Sequence, residues 1–488
     1  MKTTNSIKLS MFYPSVSLQK CLLFIGLALS SVLLQAQDTS LVFSPTRFFE
    51  MVYRFHPQVR QSAIAVELAN SDLLKARGAF DPKLASDYRS KNYQDAAYYD
   101  LLQVGLKVPT WYAADLFAGF ENNAGDYLNP EQVVPETGLL KAGISLPVLQ
   151  GLLIDERRAT VKQARIMQEA SEVEQLKMLN DLFLKAGSTY WKWQQSYREY
   201  LVYSEAVEIA SEILEAATLS SRYGDRAGID TLEAMIQYQD WLQAQTESYL
   251  KYIRNGLEVE NFLWDEEGRP LNFERDMFPD LRESALHVWQ NEESVPLTRA
   301  ENNPEFRLID YKMNALQVER SWSKEQFKPQ LNLKFYALNE PVVPESFVPR
   351  GEQIGFDFEF PLFLRKARGE VERLNLELES LQWYQNEQGL KLRNLLANLQ
   401  IENEQLAAMI ELQRQQVDNQ QVLLEAERTK FIQGESSIFL INQREVQLVK
   451  AKLTLYRFEN RAQNNLLEQW HTSGDLNQKM LEKLKLTP

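Results

Sequence analysis

The side chains from which active sites and metal centres are usually built are scarce in this chain. It has three histidines, His56, His287 and His471, far apart in sequence, and one cysteine, Cys21. Imidazole and thiolate are the usual ligands of zinc and related metals, and neither occurs here in a cluster. The sequence also has neither a glycine-rich phosphate-binding loop nor a zinc-type HExxH motif. We therefore expect no enzymatic activity, no bound metal and no cofactor.

Aromatic and acidic side chains are plentiful, but their pattern indicates structure rather than catalysis. Trp191 and Trp193 stand among tyrosines at helical spacing, which predicts packing along a helix seam rather than a ligand-binding box. The chain has 67 acidic and 53 basic residues, a formal net charge of −14. Phosphate binding needs a basic surface, so we expect no nucleic-acid partner. The carboxylates either lie on solvated helix faces or line a wet lumen that favours cations.

The N-terminus has the pattern of a secretory signal peptide. Three lysines precede an apolar run from Cys21 to Leu34, and Ala36 suits a cleavage site. The run is shorter than the roughly 20 apolar residues of a membrane-spanning helix. We predict that residues 1–36 are removed on export, which leaves a mature chain without cysteine.

The elements after the signal are predicted to be few and long. Only 19 glycines and 18 prolines occur in 488 residues, too few for many tight turns. Leu396, Ile410, Val417, Leu424 and Phe431 hold one seam position at multiples of seven residues. Such spacing is typical of helices that lie side by side along their length. A plain coiled-coil spacer would show the same spacing.

Landmarks of the first half recur in the second half in the same order. Pro57 and Pro82 are separated like Pro304 and Pro329, and the later segments SLPVL and EFPLF also correspond. This order predicts an internally duplicated chain. In each half the predicted order of elements is a helix, strands, a very long helix, a turn and a returning helix. The shorter helices of the first half, about 45–79 and about 229–263, together match the long one in length, which favours a wall of antiparallel helices.

Two regions, about 83–147 and about 330–363, change from a helical period to a period of two. Apolar and polar residues alternate there over about ten residues, as in a transmembrane β-strand. A half-buried sheet of a soluble domain gives the same pattern and remains the alternative. The candidate lipid-facing residues are Leu140, Ala142, Ile144, Leu331, Leu333, Phe335, Ile354, Phe356, Phe358 and Phe360.

The number of strands constrains how they could cross a membrane. The second half offers two strands and the first half two to four, which gives four to six. Bacterial barrels begin at eight strands, and an open sheet edge cannot face lipid because its backbone groups would lack hydrogen bonds. If these strands cross a membrane, several chains must share one barrel.

The order of these segments resembles that of the outer-membrane efflux protein (TolC-like) family over nearly the whole mature chain. The segments that carry the resemblance are the openings HP…FDPKL and NPEFRL…FKPQL, the strand exits ISLPVLQG and FEFPLF, and the turns RYGDRAGIDTLEA and KFIQGESSIFLI. The resemblance implies a mainly α fold with β-strands. A long antiparallel α-helical barrel would continue into a transmembrane β-barrel formed by a homotrimer, with four strands from each chain.

The resemblance also implies a role as the outer-membrane exit duct of a tripartite efflux or type I secretion system. Its partners would be two further copies, outer-membrane lipid, a periplasmic adaptor and an inner-membrane pump of RND or ABC type. The chain would sit in the outer membrane of a Gram-negative bacterium with a long periplasmic extension. The surplus strand segment, roughly 100–122, would be an extracellular extension or a hairpin elsewhere.

The family's periplasmic tips would here be about residues 223–230 and 431–437. Gly434 fits the family's turn glycine, whereas the first half has Arg226 there. Leu440 and Gln443 stand where well-known members carry constriction aspartates, so an acidic ring is not transferred. The candidate contact and gate residues are Tyr223, Gly224, Asp225, Arg226, Gly228, Asp230, Phe431, Gly434, Glu435 and Ser436.

The predicted organisation has five parts. A first repeat at 37–264 follows the signal peptide; a linker at 265–302, a second repeat at 303–470 and a tail at 471–488 follow in turn. The linker and tail would form a belt around the helical tube. A different class of protein, a periplasmic coiled-coil adaptor that never enters lipid, remains the alternative. It predicts one hairpin, whereas the sequence indicates two.

Overall fold

The computed structural model describes residues 42–224, 227–272, 277–281, 295–341 and 349–485. The predicted signal peptide lies outside these ranges, as do Asp225 and Arg226 of the first tip. Within the described ranges the chain forms eight α-helices. In chain order they are α1 (Pro45–Phe55), α2 (Pro57–Arg77), α3 (Glu156–Arg222), α4 (Gly228–Glu260), α5 (Pro304–Glu325), α6 (Arg365–Ile432), α7 (Ile438–Ser473) and α8 (Leu476–Leu484).

The strands of the described residues fall into two sheets of different size. They are β1 (Val42–Phe43), β2 (Lys83–Tyr93), β3 (Ala96–Pro109), β4 (Asp115–Ala124), β5 (Leu139–Pro147), β6 (Phe278–Pro279), β7 (Gln330–Asn339) and β8 (Gly351–Glu359). Strands β1 and β6 form a short parallel pair, and the other six form one antiparallel sheet.

The helices pack side by side as a wall that is four helices wide. The longest, α3 and α6, have 67 and 68 residues. Helix α3 packs against α2 and α4 on one side and against α5 and α7 on the other, and α6 packs against α5 and α7. Two shorter helices therefore share the length of a long one, as the matched lengths predict. Among the described residues, no helix is apolar over a length that would cross a bilayer.

The first helical stretch is broken at His56, whereas the sequence predicts one helix over about 45–79. His56 adopts an extended conformation (ψ 132°), and its Nδ1 accepts a hydrogen bond from the Gln58 N–H at 3.1 Å. Proline disfavours the helical conformation in the residue before it but suits the first position of a new helix. Pro57 therefore ends α1 and begins α2. Burial lowers the pKa of His56, which keeps the ring neutral in this capping role.

The main hydrophobic core lies at mid-height of the wall, where α1, α8 and the end of α7 pack against the middle of α3. Trp191, Trp193 and Trp470 are among its largest fully buried side chains, together with Phe48 and Phe49. The predicted packing role of Trp191 and Trp193 is therefore confirmed. Tyr190 donates a buried hydrogen bond of 2.7 Å to the Phe43 carbonyl, which fixes the N-terminal strand to this core.

The large sheet has six strands in the order β2-β3-β4-β5-β7-β8, all antiparallel to their neighbours. Six strands lie at the upper limit of the range predicted from alternation, and exceed the four that the resemblance implies. The surplus segment, roughly 100–122, forms most of β3 and β4. It is neither an extension beyond the sheet nor a hairpin elsewhere, because it lies between β2 and β5 and pairs with both neighbours.

Candidate functional site

One face of the six-stranded sheet is apolar across all six strands over most of its height, and polar residues (Asn122, Asn339 and Glu352) appear on it at the end away from the helices. The pairing brings residues of like polarity level with one another: Ala118 pairs with Leu106 on one side and Ala142 on the other. We call this the apolar face. Its members are Leu84, Ser86, Tyr88, Leu102, Val104, Leu106, Val108, Leu116, Ala118, Phe120, Leu140, Ala142, Ile144, Leu146, Leu331, Leu333, Phe335, Ala337, Ile354, Phe356 and Phe358.

Nine of the ten candidate lipid-facing residues lie within strands on the apolar face, and Phe360 lies just beyond the end of β8. The face is open rather than packed against the helices. Leu84 is 76% exposed, Ile354 72% and Phe356 71%. A continuous exposed apolar surface of this kind marks a site of contact with lipid or with another protein.

The opposite face of the sheet, which we call the polar face, carries charged pairs. Lys141 lies 3.5 Å from Glu121 and places its ammonium 4.7 Å from the centre of the Tyr336 ring. Lys334 is paired with Asp357 on the neighbouring strand. The two faces thus differ as the lipid and lumen faces of a transmembrane barrel do.

Two aromatic rings on the polar face cover glycines of adjacent strands. A Cβ atom on Gly105 or Gly119 would come within 2.8 Å of the Phe117 ring, and one on Gly143 would meet the Phe335 carbonyl oxygen at 2.0 Å. The Phe117 and Tyr336 rings touch edge to face, with centroids 5.7 Å apart. Glycine therefore permits both the close strand approach and the aromatic packing over it, a device that curves sheets and fixes register.

Ion pairs connect the sheet to the beginning of α3. Asp115, the first residue of β4, accepts hydrogen bonds from Arg157 and Lys107, each at 2.9 Å. Asp155 caps α3 by accepting from the Arg158 N–H at 2.9 Å. Burial alone would raise the pKa of Asp155, but this hydrogen bond and the charges of Arg157 and Arg158 hold it below the ordinary value. Together the Asp115 ion pairs and the Asp155 cap fix the direction in which α3 leaves the sheet.

The first tip joins α3 to α4 at the far end of the wall. Tyr223 is 80% exposed, and Gly224 has a left-handed φ of +79°. Gly224 donates a hydrogen bond to the Ser221 carbonyl and so closes α3. Gly228 is the first residue of α4, and Asp230 lies in its first turn, half-buried. Asp225 and Arg226 lie outside the described residues.

The second tip joins α6 to α7 with the same arrangement. Gly434 has a φ of +80°, and the Glu435 N–H bonds to the Lys430 carbonyl at 2.9 Å. Glu435 is exposed, whereas Ser436 donates a hydrogen bond to the Glu427 carboxylate. Phe431 is half-buried and packs against a cluster formed by both hairpins. The structure thus brings the described candidate tip residues together as two adjacent turns.

The two hairpins touch just above the tips. Ile438 of α7 is fully buried against Ala217 of α3 and Ala234 of α4. Two turns further along α7, Glu445 is only 2% exposed, and in the described part of the chain neither of its carboxylate oxygens accepts a hydrogen bond of good geometry, although the Trp241 indole N–H is close enough to act on it. Burial raises the pKa of Glu445 to about 7, although Arg428 and Trp241 lower it in part. Sequence reasoning missed Glu445, because one glutamate on a long acidic helix gives no signal.

The outer helices of the wall carry exposed apolar side chains along much of their length. On α6 these include Leu376, Trp383 and Leu390 at steps of seven, followed by Ile401 and Leu412 at steps of eleven. Helix α4 exposes Ile229, Leu232, Ile236, Leu250 and Leu257. By contrast, the inner helix α5 has no large exposed apolar side chain among its described residues. Both lateral edges of the wall therefore have the character of contact surfaces.

Comparison with known proteins identifies this architecture among solved structures. No family model matches the chain, and no curated protein matches its sequence significantly. The outer membrane protein VceC from Vibrio cholerae is 13% identical, with a TM-score of 0.63 over 88% of this chain and 95% of VceC. The Campylobacter jejuni CmeC outer membrane channel is 14% identical, with a TM-score of 0.61 over 90% and 89%.

The open state of the MtrE outer membrane channel from Neisseria gonorrhoeae gives a TM-score of 0.58 at 10% identity, over 88% of each chain. These matches span nearly the whole described chain at very low sequence identity. The chain therefore has the fold of the TolC-like outer-membrane channels, and the resemblance seen in the sequence is confirmed at the level of the fold.

Proposed function

We propose that this protein is an outer-membrane channel that serves as the exit duct of a tripartite efflux or type I secretion system. It conducts cargo passively from an inner-membrane pump, of RND or ABC type, and a periplasmic adaptor. No chemistry is required of its side chains. The proposal places the sheet in the outer membrane and the helical wall in the periplasm.

The observation that carries the proposal is the sheet itself. It has one continuous exposed apolar face, a charged opposite face and, within the described residues, two edges without a strand partner. Six strands are fewer than the eight of the smallest bacterial barrels, and an unpaired edge in lipid is too costly to exist. A homotrimer in which neighbouring copies complete one barrel satisfies both constraints. The fold shared with outer-membrane channels supports this assembly.

The exposed apolar stripes on α4 and α6 support the same assembly in the periplasmic part. In a ring of copies, the α6 edge of one copy meets the α2 and α4 edge of the next. Burial of these side chains contributes roughly 25 cal/mol for each Å² removed from water. The tips then converge at the periplasmic end, where they form the gate and the contact for the adaptor.

Cell fractionation tests the proposal. The duct predicts an outer-membrane protein that migrates as an oligomer in unheated samples and as a monomer after heating. A protein released by osmotic shock as a single copy would instead be a periplasmic adaptor, and the duct would be wrong. A second test is conductance in planar bilayers, which requires the protein to insert and form a pore.

A further inference from the structure

We propose that the hairpin β3–β4 is an additional segment of the barrel wall, so that three copies build an eighteen-stranded barrel. The family resemblance implies twelve strands. This inference rests on the proposed duct and deepens it, because the number of strands sets the width of the outlet through the outer membrane.

The hairpin has every property of a wall strand pair. Its ten residue pairs run from Asp100–Ala124 to Pro109–Asp115 without a change of register. It is held on both sides, by β2 and by β5. Most of its apolar residues, from Leu102 to Val108 and from Leu116 to Phe120 at alternate positions, lie on the apolar face. Lys107, Asp115 and Glu121 lie on the polar face, together with the Phe117 ring that covers the glycines. A hairpin that projected away from the barrel would have no lipid-facing and lumen-facing sides, so its two faces would not need to differ in polarity.

The two edges of the sheet are suited to each other. Strands alternate in direction along the sheet, so β2 and β8, the first and sixth, run in opposite directions. Strand β8 of one copy can therefore pair antiparallel with β2 of the next. Any register that places Ser86 opposite Ile354, Phe356 or Phe358 keeps apolar residues on one side of the joined wall, because strand side chains alternate with a period of two.

The hairpin adds strands to the wall without adding helices. Strands β2 and β7 are preceded in the chain by a shorter helix of the wall, and β5 and β8 are followed by a long one, all at the same end of the sheet. At that end β3 and β4 are joined only to each other, by residues 110–114, where Tyr112 is 84% exposed. Each copy thus brings six strands and a wall four helices wide.

The circumferences of the two parts agree better with eighteen strands than with twelve. Twelve helices at about 9 Å spacing make a wall about 110 Å around. Strands about 4.8 Å apart and tilted by about 40° give about 110 Å for eighteen strands and about 75 Å for twelve. The helical tube therefore continues into the eighteen-stranded barrel without narrowing. Such a barrel is about 1.5 times wider than one of twelve strands, since diameter grows linearly with strand number.

Disulfide cross-linking between copies tests which strands meet. Ser86→Cys on β2 is combined in turn with Ile354→Cys, Phe356→Cys and Phe358→Cys on β8, in the full chain purified in detergent. Cys21, in the predicted signal, is the sole cysteine of the sequence, so background cross-linking through cysteines other than the introduced pair is low. The matched controls combine the same β8 variants with Ala118→Cys on β4. We expect one of the β2 series to form disulfide-linked oligomers and the β4 series to form none.

A second measurement does not depend on the cysteines. A variant in which a two-residue turn replaces residues 94–132 joins β2 to residues 133–138 and so to β5. It keeps the direction and face of both strands, since Leu84 then lies level with Ala142, as it does through β3 and β4 in the full chain. Single-particle images of the trimer in lipid nanodiscs should show a membrane section about 1.5-fold wider for the full chain than for this variant.

The outcomes separate the two proposals. Trimers with β2–β8 disulfides and the wider membrane section support the eighteen-stranded barrel. Trimers in which β4 rather than β2 bonds to β8, or full-chain images that show twelve strands, overturn it and leave the duct intact. A purified chain that stays a single copy in detergent and in nanodiscs overturns both.

Discussion

Gly224 and Gly434 occupy the same position in the two tips: each is the second residue after the end of a long helix, with φ of +79° and +80°. The first-tip turn glycine is therefore Gly224 rather than a residue at the position of Arg226. Left-handed backbone at this position is the usual way to end a helix and suits glycine because it has no Cβ. The two tips thus reverse the chain by the same local geometry.

Alanine at either glycine is expected to loosen its tip. Gly224→Ala and Gly434→Ala should each cost about 1–2 kcal/mol, because a Cβ atom clashes in the left-handed conformation. Faster hydrogen exchange in the last turn of α3 or α6 would report the effect. Gly228→Ala is the matched control: its φ is not left-handed and an added Cβ meets nothing within 4 Å. Equal exchange rates in all three variants would contradict the strain argument.

Phe431 and Tyr223 are predicted to act differently in gating. Phe431 packs at the hairpin contact, whereas Tyr223 is 80% exposed and is free to reach a neighbouring copy. Phe431→Ala should destabilise the second tip by about 2 kcal/mol, less than for a fully buried ring. Tyr223→Ala should change the stability of the separate chain by less than about 0.5 kcal/mol.

Conductance in planar bilayers checks whether these two residues keep the channel closed. The unmodified protein is expected to conduct poorly, and the double variant Tyr223→Ala with Phe431→Ala to conduct several-fold more. Leu201→Ala, at an exposed position of the central helix α3 and outside the stripes assigned to the contact between copies, serves as a control for loss of apolar surface. Unchanged conductance in the double variant would exclude a gate at these turns.

The contact between the hairpins is predicted to weaken as pH rises. The pKa of Glu445 is raised to about 7 by burial, while its ordinary value is 4.5. Between these values the folded chain binds a proton that the unfolded chain has lost, so stability falls with rising pH. Once the pH is well above 7, the free energy of unfolding has fallen by about 3 kcal/mol. The charged groups that act on Glu445 are Arg428, which favours ionisation, and Glu205, which opposes it.

The loss of stability can be measured by hydrogen exchange at pH 5 and at pH 8. The segment to follow is the part of α7 around Ile438 and Val449. We expect markedly faster exchange at pH 8. Glu445→Gln, which stays neutral, should abolish the difference, whereas Glu435→Gln at the exposed tip should leave it unchanged. A pH dependence that persists in Glu445→Gln would assign the titration to another group.

Sequence periodicity predicted the helices and the faces of the strands, because both depend on local alternation of polarity. The alternation of Leu116, Ala118 and Phe120 with Phe117, Gly119 and Glu121 was readable, but it did not reveal that β4 lies between β3 and β5. That placement depends on pairing between distant segments. The same holds for Glu445, whose burial arises only when α3, α4 and α7 converge. The start of α2 at Pro57 is marked in the sequence by the proline itself, whereas the comparison of helix lengths treats about 45–79 as one helix and so does not predict the break at His56.

Gly143 provides the most direct test of how the sheet is packed. It lies on the polar face between β4 and β7, where an added Cβ would stand 2.0 Å from the Phe335 carbonyl oxygen and 2.6 Å from the Tyr336 ring. Because the nearest atom belongs to the backbone, it cannot give way as a flexible side chain would. Gly143→Ala should therefore displace β5 from β7, at a cost of about 1–3 kcal/mol for overpacking.

Gly355 is the matched control, since it lies on the same face two strands away, on β8, and an added Cβ meets nothing within 4 Å. The temperature at which the oligomer dissociates in detergent measures the effect. We expect it to fall for Gly143→Ala and to stay within a few degrees for Gly355→Ala, because alanine is preferred to glycine in strands. Equal dissociation temperatures would mean that β5 and β7 separate when the proposed barrel assembles, since only a gap between them could accommodate the additional methyl group.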